Sequence, residues 1–385
     1  MKKHLLILLS ALTLSGCTNN PTAESSLNST ESSTLKVTDL VGREVEVSKD
    51  AYKKVVCIGA GALRLYSYIG DVNYLVGVED IDRNVGSNNF EGASRPYYDL
   101  NKEVFEKLPS CGKGGPQAQS AEYEKILSCN PSLIISEYED VEKANDLQSK
   151  TNVPVLVVKY GRESVFDENI KNSISLLGNV LNNKSKADNL NTYIANSKTE
   201  LQNFAVDVEE KYKPAMYVGC LGNWGRQDIF STSSYYPLFN VSGIKNVVDS
   251  TIQLNNGNLE EEAFFKLNPD IIVVDSAGLS KFKTTYNNKK EQFKAMKAFS
   301  EKNVYLQMPF NAYYTNVEIA LMDAYFLASL SYPSKFTNFD LEKKYDEISN
   351  AFLSKPCYDI IKSAKYSYGG FQKIDNLEAF LDNVE

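Results

Sequence analysis

The sequence predicts an α/β protein of two lobes, each built on a central, mostly parallel sheet, joined by a long α-helix. Three observations carry this expectation. Short apolar runs alternate with longer helical patterns in both halves of the chain, the order that yields a parallel sheet covered by helices. Between Asp167 and Glu210 the pattern turns mostly polar, with apolar positions at Ile170, Ile174, Leu177, Val180, Leu181, Leu190, Ile194, Leu201 and Phe204. Those spacings suit one face of a helix, or two helices broken near Asn182-Asn183. The halves on either side of that stretch also carry a matching segment.

The chain opens with Lys2 and Lys3, an apolar run from Leu5 to Leu14, and Leu14-Ser15-Gly16-Cys17. That run is shorter than the ~20 apolar residues a bilayer requires. A basic end, a short apolar stretch and small residues before a cut describe an export signal over residues 1–16. The cysteine at the cut resembles a bacterial lipoprotein signal, in which Cys17 becomes the lipidated first residue. Acyl chains then hold it to the membrane at about 0.8 kcal/mol per buried methylene. Residues 17–34 are rich in Thr, Asn, Ser, Glu and Pro and read as a disordered tether.

After the tether, Leu35 to Asp39 and Arg43 to Val47, split by Val41-Gly42, read as an alternating hairpin. It opens an N-terminal α/β lobe over residues 35–166, with buried strands expected at Val55 to Ile58, Tyr74 to Val78, Leu133 to Ile135 and Val153 to Val158. The linking helix is expected over 167–210. A C-terminal α/β lobe with terminal helices follows over 211–385, with strands at Ala215 to Val218, Ile271 to Val274 and Val304 to Leu306. The matching segment runs from Glu124 to Asn130-Pro131 in the first lobe and from Glu262 to Asn268-Pro269 in the second, at a constant offset of 138 residues. Its physical content is a helix stopped by an Asn-Pro turn and fed into a buried strand.

Composition excludes several chemistries. The single histidine is His4, inside the signal. Without it, Ser-His-Asp and Cys-His systems lack their base, and histidine-ligated zinc or manganese sites lack their ligands. Cys57, Cys111, Cys129, Cys220 and Cys357 remain, an odd number with no CxxC spacing, so at least one is unpaired and a zinc or redox motif is unsupported. Cys57 and Cys220 lie in apolar runs, where a buried, inert thiol is expected. Loss of Lys2 and Lys3 takes the net charge from −8 to −10, which disfavours nucleic-acid binding. Catalysis by paired carboxylates or a cysteine stays formally open, and the chain is read as not an enzyme.

The hairpin, the Asn-Pro-strand unit in both lobes and the connecting helix resemble the helix-linked binding proteins of ABC importers for ferric siderophores, haem and cobalamin. The resemblance extends from about Leu35 to about Pro356. It implies a monomeric lipoprotein with a ligand cleft between two lobes, working with an ABC permease dimer and its ATPase. It also implies that Glu124 and Glu262 are the surface glutamates that meet arginines of the permease. Neither a cofactor nor a protein-held metal is expected; the iron compound is cargo.

In open α/β sheets ligands bind beyond the carboxyl ends of the strands. The loops expected there carry aromatics and arginines: Arg64, Tyr97 and Tyr98, Tyr160 and Arg162, Trp224 and Arg226, Tyr235 and Tyr236, Tyr313 and Tyr314. These are the expected ligand-binding residues. The sequence has six arginines against 35 lysines, and a planar donor fork suits carboxylate, phosphate or catecholate oxygen, so an anionic ligand is inferred. Tyrosine adds flat area and an oxygen for a chelate or macrocycle, and its phenolate could also ligate ferric iron of the cargo directly, although Tyr325 and Tyr345 are expected in the core. Three readings stand at this point. They are a ferric-siderophore receptor, a haem or corrinoid receptor of the same class, and a surface interaction lipoprotein without a small ligand.

Overall fold

A computed structural model describes residues 33–83, 95–115, 120–161, 164–222, 225–250, 257–311 and 313–385. The expected signal with Cys17, together with Arg162 and Trp224, lies outside them.

Strands β1 (Thr34–Thr38) and β2 (Glu44–Ser48) pair antiparallel with Val37 opposite Val45. Val37, Val45 and Val47 are buried while Lys36, Thr38, Glu44 and Glu46 face out, as a half-covered hairpin requires. Next come β3 (Val55–Ile58), β4 (Leu75–Glu79), β5 (Ser110–Gly112), β6 (Leu133–Ser136) and β7 (Val155–Val157), a parallel sheet in the order β5-β4-β3-β6-β7. The chain starts at the central strand, moves out to β5, then crosses to β6, so the strand order reverses beside β3. All four residues of β3 are buried, which fits a strand covered on both faces. The hairpin docks on β7 through Asp39, whose carboxylate accepts from Arg43 N at 2.9 Å and Val157 N at 3.3 Å.

The second sheet contains β8 (Met216–Gly219), which precedes the short pair β9 (Ser231–Thr232) and β10 (Gly257–Asn258). Then follow β11 (Ile271–Asp275), β12 (Val304–Gln307) and β13 (Gln372–Lys373). The sheet order is β13-β12-β11-β8, parallel apart from the antiparallel edge strand β13. The apolar runs of the sequence locate the central strands of both sheets. They miss β5, whose Ser-Cys-Gly carries no period, and the two-residue strands, which the neighbouring chain imposes.

The connector is two helices and not one. Glu168–Val180 and Lys184–Phe204 pack on each other across a turn in which Asn182 is left-handed at φ 54°. A Cβ on Gly178 would stand 2.3 Å from that of Ala187, so glycine permits their close approach. Asn183 donates to Ile69 O at 2.6 Å and pins the turn to the first lobe. At 1.5 Å per residue the 21-residue second helix is about 31 Å long.

The 138-residue repeat has the same backbone in both copies. Tyr123–Ser128 and Glu261–Leu267 are short helices, each followed by a left-handed asparagine, Asn130 at φ 51° and Asn268 at φ 42°. A buried proline follows each, and the next strand begins at Leu133 and at Ile271. The helix Val317–Ser331 is almost wholly buried, as a helix apolar on every side must be. One continuous apolar core runs through both halves, with a smaller cluster on the other face of the first sheet. Tyr325 and Tyr345 are in that core, and all five described cysteines are buried and unbridged.

Candidate functional site

A cavity of about 840 Å³ opens where the second lobe faces the connector and the end of β7. Its walls follow strand ends. Leu221 and Gly222 come after β8, Asp275 and Ala277 from the end of β11, Pro309, Phe310 and Asn311 after β12, and Gly161, Ser164 and Phe166 after β7. The segment from Ser233 to Val241 forms another wall, and Lys198 and Gln202 project from the second connecting helix.

Several of these turns are held in left-handed backbone without glycine: Ser164 at φ 58°, Tyr235 at 52°, Tyr314 at 65°, and beside them Cys220 at 64° and Tyr313 at 53°. Such conformations cost about 1–3 kcal/mol each and cluster where a surface is shaped for use. Asp275 lies at the floor. Its carboxylate accepts from Ala277 N at 3.0 Å and from Gln307 Nε2 at 3.4 Å, and burial still pushes its pKa up to about 7.

The expected site residues divide between the cavity and the core. Tyr235, Tyr236 and Tyr314 line the cavity, with Tyr235 57% exposed. Tyr236 is buried and its hydroxyl accepts from Gln307 Nε2 at 3.3 Å. Tyr314 stacks on Tyr160, ring centroids 5.2 Å apart and planes 12° from parallel. Arg64 does not reach the cavity. It is fully buried, donating from Nη1 to Tyr160 Oη at 3.3 Å and to the carbonyls of Tyr313 and Thr315 at 3.1 Å each. Its guanidinium lies over the Tyr97 ring. The physical reason is the loop after β12, which folds across the strand ends of the first sheet and covers them.

Four of the expected tyrosines commit their hydroxyls to partners within the protein. The Tyr313 hydroxyl donates to Glu79 at 3.1 Å and accepts from Gly115 N at 2.9 Å. The Tyr160 hydroxyl donates to Gly61 O at 2.8 Å. Tyr97 donates to Asp82 at 2.6 Å and Tyr98 to Glu106 at 2.8 Å, both buried away from the cavity. Arg226 is half-buried beside a separate small depression shared with Tyr366, Tyr368 and Glu385. The anionic-ligand expectation therefore loses Arg64 and Arg226 as cavity residues. Glu124 and Glu262 are both exposed in the first turn of the repeated helices, the Glu262 side chain 91% so.

Burial also raises two carboxyls that end strands of the first lobe. Glu79 rises to about 8, from burial and then from nearby Asp82, and Glu137 to about 9, from burial and then Glu139. Asp275, Lys198 and Ser164 were not singled out from the sequence. Asp275 carried a usable signal, an acid closing the apolar run Ile-Ile-Val-Val; Lys198, one of many lysines on a polar helix, carried none. Among the described residues no group of three or more His, Cys, Asp or Glu could hold a metal ion.

Comparison with known proteins agrees with this architecture. The profile described as periplasmic binding protein matches residues 55–307. A periplasmic solute-binding protein from Veillonella parvula DSM 2008 superposes with a TM-score of 0.66 at 18% identity, covering 86% of this chain and 96% of that one. MolA of Haemophilus influenzae, solved with molybdate, gives 0.62 at 19%, covering 84% and 98%. An ABC-transporter solute-binding protein from Sulfurospirillum deleyianum DSM 6946 gives 0.60 at 20%, covering 85% and 96%. No curated protein matches the sequence. With two α/β lobes, a helical connector and a profile match over most of its length, the chain belongs to the periplasmic binding protein family, the extracytoplasmic solute receptors of ABC importers.

Proposed function

We propose that this chain is a lipid-anchored receptor that captures a ferric siderophore and delivers it, without chemistry, to a membrane permease and its ATPase. The observation that carries the reading is the cavity. About 840 Å³ with mixed aromatic and polar walls lies in the range for organic ligands of several hundred daltons. An oxyanion the size of the molybdate in MolA would fill a small part of it. With His4 the only histidine, the protein has no imidazole to offer a metal after export, which favours iron already wrapped in a chelator. Tyr235, Tyr236 and Phe310 supply flat surface for such a chelate. The continuous core favours a cleft that changes little on binding.

Cys17 is the anchor in this reading, and Glu124 and Glu262 are the docking residues. Their exposure at equivalent places of the repeat supports the second role. Charge pairs there would set orientation and encounter rate more than affinity. Titration of the purified protein, followed by intrinsic fluorescence, with a ferric trihydroxamate, a ferric tricatecholate, haem and cobalamin tests the ligand class. Saturable sub-micromolar binding of a ferric chelate is expected. Binding of haem or cobalamin alone would move the protein to the macrocycle receptors, and binding of none would end both the ferric-chelate and the macrocycle readings.

A further inference from the structure

We infer that the cavity floor is a subsite for a positively charged group, with Asp275 receiving an ammonium carried by the ligand. The cargo is then a ferric chelate with a free amine, not a polyanion. This rests on the receptor reading above and narrows it.

Asp275 ends β11, lines the cavity and is 4% exposed. A second carboxylate, Asp323, is fully buried close enough to feel its charge. Asp323 accepts from Met308 N at 3.2 Å through one oxygen, while the other has no donor. Gln307 turns its Nε2 toward Asp275 and Tyr236, which leaves its buried Oε1 without a donor as well. Asp323 and Gln307 are fully buried behind the wall, and Asp275 is the carboxylate that lines the cavity. Among the described residues neither acid forms an ion pair with a lysine or arginine. Lys198 also lines the cavity, with its Nζ 5.8 Å from the Phe166 ring centroid and not in an ion pair with either acid.

Buried carboxylates are otherwise stabilised by a paired cation, and an ammonium brings three donors with one positive charge. An anionic chelate would place like charge against Asp275. The two described arginines that could have reversed this balance are elsewhere, Arg64 under the loop after β12 and Arg226 at its own depression. An independent sign of an unmet ligand comes from the opposite wall. Ser164 lines the cavity at 7% exposure with a left-handed backbone, and its hydroxyl has no hydrogen-bond partner.

The test compares a linear ferric trihydroxamate bearing a free terminal amine with its N-acetyl derivative, identical around the iron, by calorimetric titration of the wild-type protein. The amine form is expected to bind on the order of tenfold to a hundredfold more tightly, the range for a hydrogen bond to a charged group. Asp275→Asn should bring the two forms to within about twofold by weakening only the amine form. The wild-type comparison decides the matter even if that variant does not fold. Equal affinities, or tighter binding of a ferric tricatecholate, would overturn the ammonium subsite and leave the receptor standing. Failure of every ferric chelate to bind would overturn the iron reading and this inference with it.

Discussion

The two lobes use the same structural position in opposite ways. In the first, β4 and β6 run into Glu79 and Glu137, and the loop after β12 closes over them, Tyr313 bonded to Glu79 and Tyr314 beside Glu137. In the second, β11 runs into Asp275, and no loop closes it off from the cavity. Both sheets present strand ends where ligands bind in open α/β proteins, yet one set is a lobe junction and the other a cavity floor. Aromatic and arginine-rich strand ends therefore identify a place in the fold and leave its use undecided.

The comparison is open to direct attack. Arg64→Ala should have the largest effect, because it strips a donor from the buried Tyr313 carbonyl and the half-buried Thr315 carbonyl and leaves buried Glu318 without the neighbouring guanidinium. A loss of about 3–5 kcal/mol is expected in urea unfolding, the range for breaking a buried charge arrangement. A loss near zero would mean the junction does not hold the lobes together.

The next effect is with pH. Burial raises Glu79 from the ordinary 4.5 to about 8 in the folded protein. The folded state therefore keeps a proton that the unfolded chain has given up at intermediate pH. Stability from this group is complete below about 4.5, falls as pH rises, and levels off above about 8. The slope approaches about 1.4 kcal/mol per pH unit for one such proton, and Glu137, also raised, acts in the same direction. Urea midpoints should fall between pH 5 and pH 8, and Glu79→Gln should flatten the fall. A midpoint that rises over that range would contradict the sealed junction.

Smaller still, Tyr313→Phe leaves Glu79 and Gly115 N each short of a partner and should cost about 1–3 kcal/mol with ligand affinity unchanged. The smallest effect on stability comes from the open side. Tyr235→Ala, on an exposed ring, should alter unfolding by no more than about 0.5 kcal/mol while weakening ligand binding. If instead Tyr313→Phe weakened binding and Tyr235→Ala did not, the division between junction and cavity would be reversed.

Periodicity and punctuation located the central strands, the hairpin and the repeat, because these depend on alternation, on apolar runs and on the Asn-Pro stop, all local properties. The break at Asn182 was equally visible, since the left-handed residue that ends the first connecting helix is an asparagine. Tyr235, Tyr236 and Tyr314 were placed at the cavity by their position after strands. Arg64 and Tyr313 satisfied the same rule and are buried.

What the sequence determined by itself is the two-lobed α/β plan and the loops from which a site could be built, since each follows from patterns a few residues long. Only the tertiary structure decided which loops meet. The segment around Tyr313 lies about 250 residues from Arg64 and still supplies the carbonyls that bind it. Whether an arginine faces solvent or a carbonyl, and whether a strand-end carboxylate is sealed or open, is fixed by such long-range contacts, and no local pattern encodes them.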